Sequence, residues 1–488
     1  MRLLPKAAVV FAVSAMWSLS PAVVAADEVR AAPNPPNVVF ILADDLGYSD
    51  LACYRDAGPA KAKLGVLYET PHLNALAADG MRFTGAYTCG PNCAPTRACL
   101  MSGQYTPRHG VYTVGSGARG QAKFRKLTPP PNNTTLAPEV VTLAETLQAA
   151  GYRTGHFGKW HLGAPGEAGP LEQGFNVNVA GTHAGHPPTY FSPYRIKTIE
   201  NGPAGEYLTD RLTEEAVAFM EANCDRPFFL YLPHFAVHTP IQSKEEQTRR
   251  FTEKAASIDV GKHDNPQYAG MLGSLDESVG RILKKLDELE LADNTVVVFS
   301  SDNGGVGGYA DAGVAGAREI THNAPLRGGK GMLFEGGIRV PLLVRWPGVT
   351  KAGAVCDVPV TSVDFFPTLV EIGGGKMPAG QVRDGVSFTG LLRGGANSLG
   401  REAIFWHFPG YLQANDRTGA WRTTPAGAIR MGDYKLIEFF ETGERMLYDL
   451  AQDIGETKNL AGDLPEKRDT LHAALKAWRA RTKAPMPQ

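Results

Sequence analysis

Neither sign of charge dominates this chain. Its 49 lysines and arginines face 50 aspartates and glutamates, and taking Arg2 and Lys6 off with a leader leaves 47 against 50. So close a balance offers no basic face to nucleic acid or acidic lipid, and any anionic ligand must be read by local charges. Internal repeats, coiled-coil heptads and low-complexity tracts are missing too, which excludes solenoids, rods and disordered tails. Cysteine is scarce, with six residues at positions 53, 89, 93, 99, 224 and 356. One disulfide among Cys53, Cys89 and Cys99 is compatible with an oxidising compartment, and spacing alone does not give its connectivity. No apolar run is long and clean enough for an anchor. The N-terminal one follows Arg2 and Lys6, runs from Ala7 towards Val24-Ala25-Ala26, and is broken by Ser14, Ser18, Ser20 and Pro21. It reads as an export leader over residues 1–26, cut before Asp27. No cysteine stands at the cut, so the expected product is exported, periplasmic or secreted, without lipid or membrane anchor.

The 488 residues exceed one compact core of usual size and predict a larger and a smaller domain. Buried-strand runs at Asn37–Leu42, Pro227–Leu232 and Thr295–Phe299 alternate with helical stretches at Val141–Ala150, Leu208–Asn223 and Tyr268–Leu291. That alternation argues for an α/β fold with a large mixed, mostly parallel sheet sandwiched by helices, whose loops at the carboxyl ends of strands gather the site. Glycines around 373–400 mark a boundary, giving 27–390 and 391–488. Past it, strands at Ala403–Tyr411, Ala428–Phe440 (turning at Gly432-Asp433) and Met446–Leu450, then a helix at Pro465–Thr482, predict a small antiparallel sheet with one helix.

Chemistry-bearing residues stand at strand ends. Asn37–Leu42 runs into Asp44-Asp45, and Thr295–Phe299 gives onto Asp302-Asn303. Adjacent carboxylates leaving a buried strand lose hydration and repel each other, so they call for a cation. Oxygen donors of this kind suit a hard cation. Gly158-Lys159-Trp160-His161 places a lysine and an imidazole two apart, on one side of an extended segment. A further turn carries His238 in His238-Thr239-Pro240, with His234 nearby as a weaker candidate or a structural residue, and Gly329-Lys330-Gly331 carries another lysine. Leu171–Tyr194 is irregular and rich in Gly, Pro, His and Tyr, and long irregular loops in compact domains are often functional.

The stretch Cys89–Gly103, CGPNCAPTRACLMSG, has the form C-x-P-[ST]-R at Cys93–Arg97. With the Asp44-Asp45 pair, GKWHLG, the HTP turn, DNGG and GGKG in order, it resembles the formylglycine-dependent type I sulfatases of the alkaline phosphatase superfamily, arylsulfatase-like and N-acetylgalactosamine sulfatase-like members in particular. The resemblance implies that a formylglycine-generating enzyme oxidises Cys93 to formylglycine (3-oxoalanine). The hydrated aldehyde attacks sulfur with one hydroxyl and expels sulfate through the other. It further implies that Asp44, Asp45, Asp302, Asn303 and the modified Cys93 hold one Ca2+. Arg97 would hold the diol, Lys159 and Lys330 would clamp sulfate oxygens, His161 would take the diol proton, and His238 with Lys330 would protonate the leaving alcohol.

The expected partner is a sulfated carbohydrate of galactose or N-acetylgalactosamine type, or an aryl sulfate. His183, His186, Tyr190 and Tyr194 of the long loop are expected to meet sugar rings, and His407 in FWHFPGY either to reach across from the smaller domain or to lie buried beside Trp406. Two rival readings accompany this one. A phosphonate monoester or phosphodiester hydrolase can use the same nucleophile motif, but such relatives tend to place histidine where Asn303 stands. A non-catalytic glycan-binding protein would keep Cys93 unconverted.

Overall fold

Asn37–Ala43 (β1) carries no charged side chain and buries every residue, which suits a strand covered on both faces. The computed structural model describes Met1 and residues 35–57, 64–414 and 419–488; the leader expected over 1–26 lies, beyond Met1, outside the described residues. In it β1 belongs to an eight-stranded sheet with Met81–Phe83 (β2), Arg153–Phe157 (β3), Val177–Val179 (β4), Phe228–Pro233 (β5), Thr295–Ser301 (β6), Leu342–Arg345 (β7) and Ala354–Cys356 (β8). The order is β4-β3-β5-β1-β6-β7-β2-β8. Only β7 runs against the other seven, so the sheet is mixed and mostly parallel, as expected.

Successive residues of β1 point to opposite faces, and each face finds its own core. Val39 and Ile41 join Leu208, Leu212 and Ala216 of Leu208–Glu221, and Leu272, Leu275 and Val279 of Pro266–Glu288. Val38, Phe40 and Leu42 join Ala94 and Ala98 of Cys93–Ser102 (α1), Leu143 and Leu147 of Leu143–Ala149, and Phe366 and Leu369 of Phe365–Ile372. Register then sets the site. Ala43 of β1 lies opposite Ser301 of β6, so Asp44-Asp45 and Asp302-Asn303 leave the sheet side by side.

Ala403–Phe408 (β9), Ala426–Met431 (β10), Tyr434–Phe439 (β11) and Arg445–Asp449 (β12) form an antiparallel sheet in that order. The strand expected over Ala428–Phe440 is β10 and β11, hinged at Gly432-Asp433. On one face Pro465–Thr482 packs Leu471, Leu475 and Trp478 against Ile429, Leu436 and Leu447. From the other, Ile404, Trp406 and Phe408 enter the same core as Val39, and Trp406 Nε1 donates to the Thr88 carbonyl at 2.6 Å.

The disulfide considered for Cys53, Cys89 and Cys99 is not formed. All six cysteines are free. The Cys89 thiol lies against Thr361 Oγ1 at 3.2 Å and that of Cys99 against His109 Nε2 at 3.4 Å. Among the described residues no helix is long and apolar enough to cross a membrane.

Candidate active site

Cys93 opens α1, with extended Asn92 as the residue before it. Pro95 falls in the first turn, where its missing N–H breaks no helical bond, and Thr96 Oγ1 donates to the Gly90 carbonyl at 3.2 Å. All ten residues of α1 are buried. Burial pushes the Cys93 thiol up, although Lys159 and Lys330 draw it down.

Around Cys93 three carboxylates meet three cations, one to one. Lys159 Nζ lies 2.6 Å from Asp44 Oδ2. Lys330 Nζ reaches Asp45 at 2.6 and 2.7 Å, one oxygen each. Arg97 Nε and Nη2 lie 2.9 and 2.7 Å from Asp302 Oδ2, while its Nη1 donates to the Lys159 carbonyl at 2.6 Å. Burial, then Asp302, raises the Asp44 carboxyl well above its ordinary range. At Asp45 burial acts the same way, but Lys330 and His238 overcome it and the carboxyl is lowered. Burial works against the charge on Arg97 and on Lys330, yet Asp302 and Asp45 respectively hold both guanidinium and ammonium above their ordinary values.

His238 Nδ1 faces the Thr239 carbonyl at 2.7 Å, which turns Nε2 towards Asp45 Oδ2 at 3.5 Å. Burial and the Lys330 charge depress this imidazole to about 3. His161 is depressed well below its ordinary value by burial and then Lys159. Asp45 and His161 both take left-handed backbone, φ 62° and 65°. Non-glycine residues held there cost about 1–3 kcal/mol and cluster at functional sites. Glycines make room nearby: a Cβ on Gly158 would lie 2.0 Å from the Pro233 carbonyl oxygen, and one on Gly304 1.8 Å from that of Gly336.

Ligand atoms of Asp44, Asp45, Cys93 and His238 lie within 4.8 Å of one another. Asp302 stands outside that group, its Oδ2 on Arg97 and its Oδ1 accepting from the Asp45 N–H at 3.2 Å. Asn303 Nδ2 donates to Asp45 Oδ1 at 2.9 Å. Asp44 Oδ1 and Asn303 Oδ1 are buried with no hydrogen-bond partner among the described residues. Two orphaned oxygen acceptors beside Asp45 fit a hard divalent cation.

Residues 36–375 match the Sulfatase family model, and residues 329–481 match that of the N-sulphoglucosamine sulphohydrolase C-terminal region. The chain belongs to the sulfatase family. It is 30% identical to mouse steryl-sulfatase over 95% of this chain and 85% of that protein. With mouse N-acetylgalactosamine-6-sulfatase it shares 34% identity over 73% of this chain and 66% of that one. The solved structure of Ps i-CgsB in complex with k-i-k-neocarrahexaose superposes with a TM-score of 0.72 at 28% identity, covering 91% of this chain and 93% of that one.

In this sulfatase the expected substrate contacts separate into two groups. His183 and His186 are exposed. The His183 ring stands 6.3 Å from that of His161, and the His186 ring lies parallel to that of His238 at 6.0 Å. Tyr190 is instead fully buried, and its hydroxyl donates to the Phe235 and His238 carbonyls at 2.6 and 2.9 Å. It positions the His238 turn and presents no face to a sugar. Tyr194 is buried against Glu206 at 2.5 Å. His407 is also turned away: its Nε2 is 2.8 Å from the Pro485 carbonyl, and its ring packs beside Tyr112 and Phe440. His234 is a core residue on Ser278 Oγ at 2.9 Å, as expected.

Two residues that sequence reading passed over hold the site together. Asp50 accepts from the Gly47 N–H at 2.8 Å and from the Tyr268 and Thr321 hydroxyls, both at 2.6 Å, fixing the turn after Asp45. Asn323 accepts from the Gly305 N–H at 3.0 Å and donates to the carbonyls of Gly305, Gly307 and Gly328 at 3.1, 3.2 and 3.0 Å. It joins the turn carrying Asn303 to the one carrying Lys330. A polar residue without periodicity or motif leaves no local signal of such a role.

Proposed function

We propose that this sulfatase releases inorganic sulfate from a sulfated sugar of galactose or N-acetylgalactosamine type, with formylglycine at position 93 and a calcium ion held by Asp44, Asp45, Asp302 and Asn303. The observation that carries the reading is the closed set of three acids and three cations around Cys93, with two buried oxygens left open. Three of each sign cancel, so a divalent ion gives the site the positive balance that a sulfate ester needs. Formylglycine supplies a hydrated aldehyde with two hydroxyls on one carbon, and the cation supplies charge beside it.

The chain's own residues do the rest. Lys159 and Lys330 bind sulfate oxygens, and Arg97, anchored on Asp302 and the Lys159 carbonyl, fixes the nucleophile's helix turn. His161 receives a proton at the nucleophile, while His238 and Lys330 flank the leaving oxygen. A sugar is favoured over a sterol by the rim: of the large exposed apolar side chains of the described residues, Val66, Val355 and Val382 lie outside the loop bearing His183 and His186, and Leu171 stands at its first position, twelve residues before His183. The N-acetylgalactosamine-6-sulfatase and neocarrahexaose names of two relatives support the sugar class.

The test pairs the mass of the Cys93 peptide, from protein made with a formylglycine-generating enzyme, with sulfate release from N-acetylgalactosamine 6-sulfate and carrageenan oligosaccharides. A peptide lightened by the cysteine-to-formylglycine change, with sulfate released, supports the reading. An intact thiol under competent maturation, with no turnover, overturns it.

A further inference from the structure

Most buried cations in this molecule have an acid beside them. Arg97, Lys159 and Lys330 follow that rule, and so do Lys435 and Arg339 on Glu335 and Arg401 on Asp364. Arg119 and Arg422 depart from it, as Arg82 and Arg327 do elsewhere. Both are partly buried, and neither forms an ion pair among the described residues. Arg119 donates to the Val114 carbonyl. Arg422 lays its guanidinium 4.6 Å from the centre of the Tyr309 ring, and its Nε is buried with no hydrogen-bond partner.

The backbone brings their two segments together beside the turn that carries Lys330. Ala118 bridges to Tyr411, and the Tyr411 N–H donates to the Gly117 carbonyl at 2.8 Å. Gly120 lies so close to the Trp421 ring that a Cβ would come within 2.6 Å. The segment bearing Arg119 is thus sealed against the strand Trp421–Thr423, which bears Arg422. Arg422 in turn adjoins the catalytic turns. A Cβ on Gly331 would lie 3.7 Å from its Cδ, the Gly331 N–H donates to the Pro91 carbonyl at 2.7 Å, and the Tyr309 hydroxyl beneath it donates to the Lys330 carbonyl at 2.9 Å. Burial lowers the Arg119 guanidinium, the nearby Cys93 side chain opposes this, and repulsion from Arg422 adds to it.

We propose that Arg119 and Arg422 form a second anion subsite beside the scissile-sulfate pocket, which takes a further sulfate or carboxylate of the same substrate. Guanidinium forks match both groups in geometry and charge, and an anion between them removes a repulsion that no ion pair among the described residues offsets. The proposal rests on the sulfatase reading and narrows its substrate to sugars carrying two anionic groups close together.

Arg119→Gln and Arg422→Gln, checked for an unchanged melting temperature, are compared with the matured parent enzyme on 4-nitrophenyl sulfate, N-acetylgalactosamine 4,6-disulfate and a uronate-containing monosulfated disaccharide. Each variant is expected to lose about 10–100-fold in kcat/KM on the doubly anionic sugars, mostly through KM, at least tenfold more than on the aryl ester. Loss on the disulfate alone, or on the uronate alone, identifies which anion is taken. Equal losses on all three substrates, or none, overturn the subsite. A calorimetric arm uses Cys93→Ala protein with the disulfate and separates the two readings. Binding weakened by Arg422→Gln, when the matured enzyme with Cys93 intact releases no sulfate from any of the three substrates, keeps the subsite and sinks the hydrolase, while binding unaffected by it sinks the subsite.

Discussion

Two buried clusters of charge sit in this protein, and they are built differently. Beneath the C-terminal sheet, Lys435 Nζ lies 2.9 Å from both Glu335 and Glu456. Glu335 also takes the Tyr87 hydroxyl at 2.7 Å and Arg339 at 3.2 Å, and Glu456 takes the Glu335 N–H at 2.6 Å. Its members face one another from strand, loop and helix, and they spend their hydrogen bonds on holding the small sheet to the large one. The centre at Cys93 has comparable burial and charge, yet it leaves Asp44 Oδ1 and Asn303 Oδ1 without a hydrogen-bond partner or a cation. Burial and pairing alone therefore do not mark a catalytic cluster. Left-handed backbone does not mark one either, since Glu456 has φ 51°; acceptors with neither donor nor cation beside them do, for Glu456 Oε1 has Lys435 at 2.9 Å.

The sharpest separation of the two comes from Cys93→Ala, expected to cut kcat/KM by about 10^4 or more with the melting temperature almost unchanged. Lys435→Met is the converse case. Leaving two carboxylates buried without their shared cation should cost about 3–5 kcal/mol of stability, read from denaturant unfolding, while enzyme that stays folded keeps its turnover. A His238→Ala variant should lose about 10^2–10^4 on alkyl sulfates and clearly less on activated aryl sulfates; equal losses would remove His238 from the leaving-group side. Chelation should reach only the centre. EGTA is expected to lower the melting temperature by an amount equivalent to about 2–3 kcal/mol, restored by calcium, and Asn303→Ala should raise the calcium needed.

The smallest effect belongs to Glu456. Burial, opposed by Lys435 and reinforced by Glu335, pushes its carboxyl up to about 7, while Glu335 is held at about 2 because Lys435, Arg339 and Arg430 outweigh burial. A carboxyl raised on folding contributes stability at low pH that is lost as pH climbs from its ordinary value towards 7. Glu456→Gln should flatten that decline, gaining roughly 1–3 kcal/mol on the parent protein between pH 5 and 8. Parallel melting curves would refute it.

The strands β1, β5 and β6 and the acids at the ends of β1 and β6 were legible in the sequence, because runs buried on both faces are uninterrupted and the polar residues that stop them stand out. Short elements were not: β2 and β8 have three residues each, too few for a period to show, and β4 hides in a stretch that otherwise reads as irregular. Cys93, Lys159 and Lys330 meet as their motifs imply. Tyr190 and His407 carried the right chemistry for a sugar contact, but direction is a tertiary property: one hydroxyl went to the His238 carbonyl and one imidazole to the chain terminus. Asn323 and Asp50 gave no signal because most of their partners, backbone groups for Asn323 and the Tyr268 and Thr321 hydroxyls for Asp50, are brought near only by the fold.

Asn323 holds four backbone groups from two turns, so Asn303 and Lys330 ride on one block. That block excludes the exposed His183–His186 segment and the strand that carries Arg422. Reprogramming the enzyme for a new sugar thus becomes a matter of exchanging the frame around a lens that stays in focus.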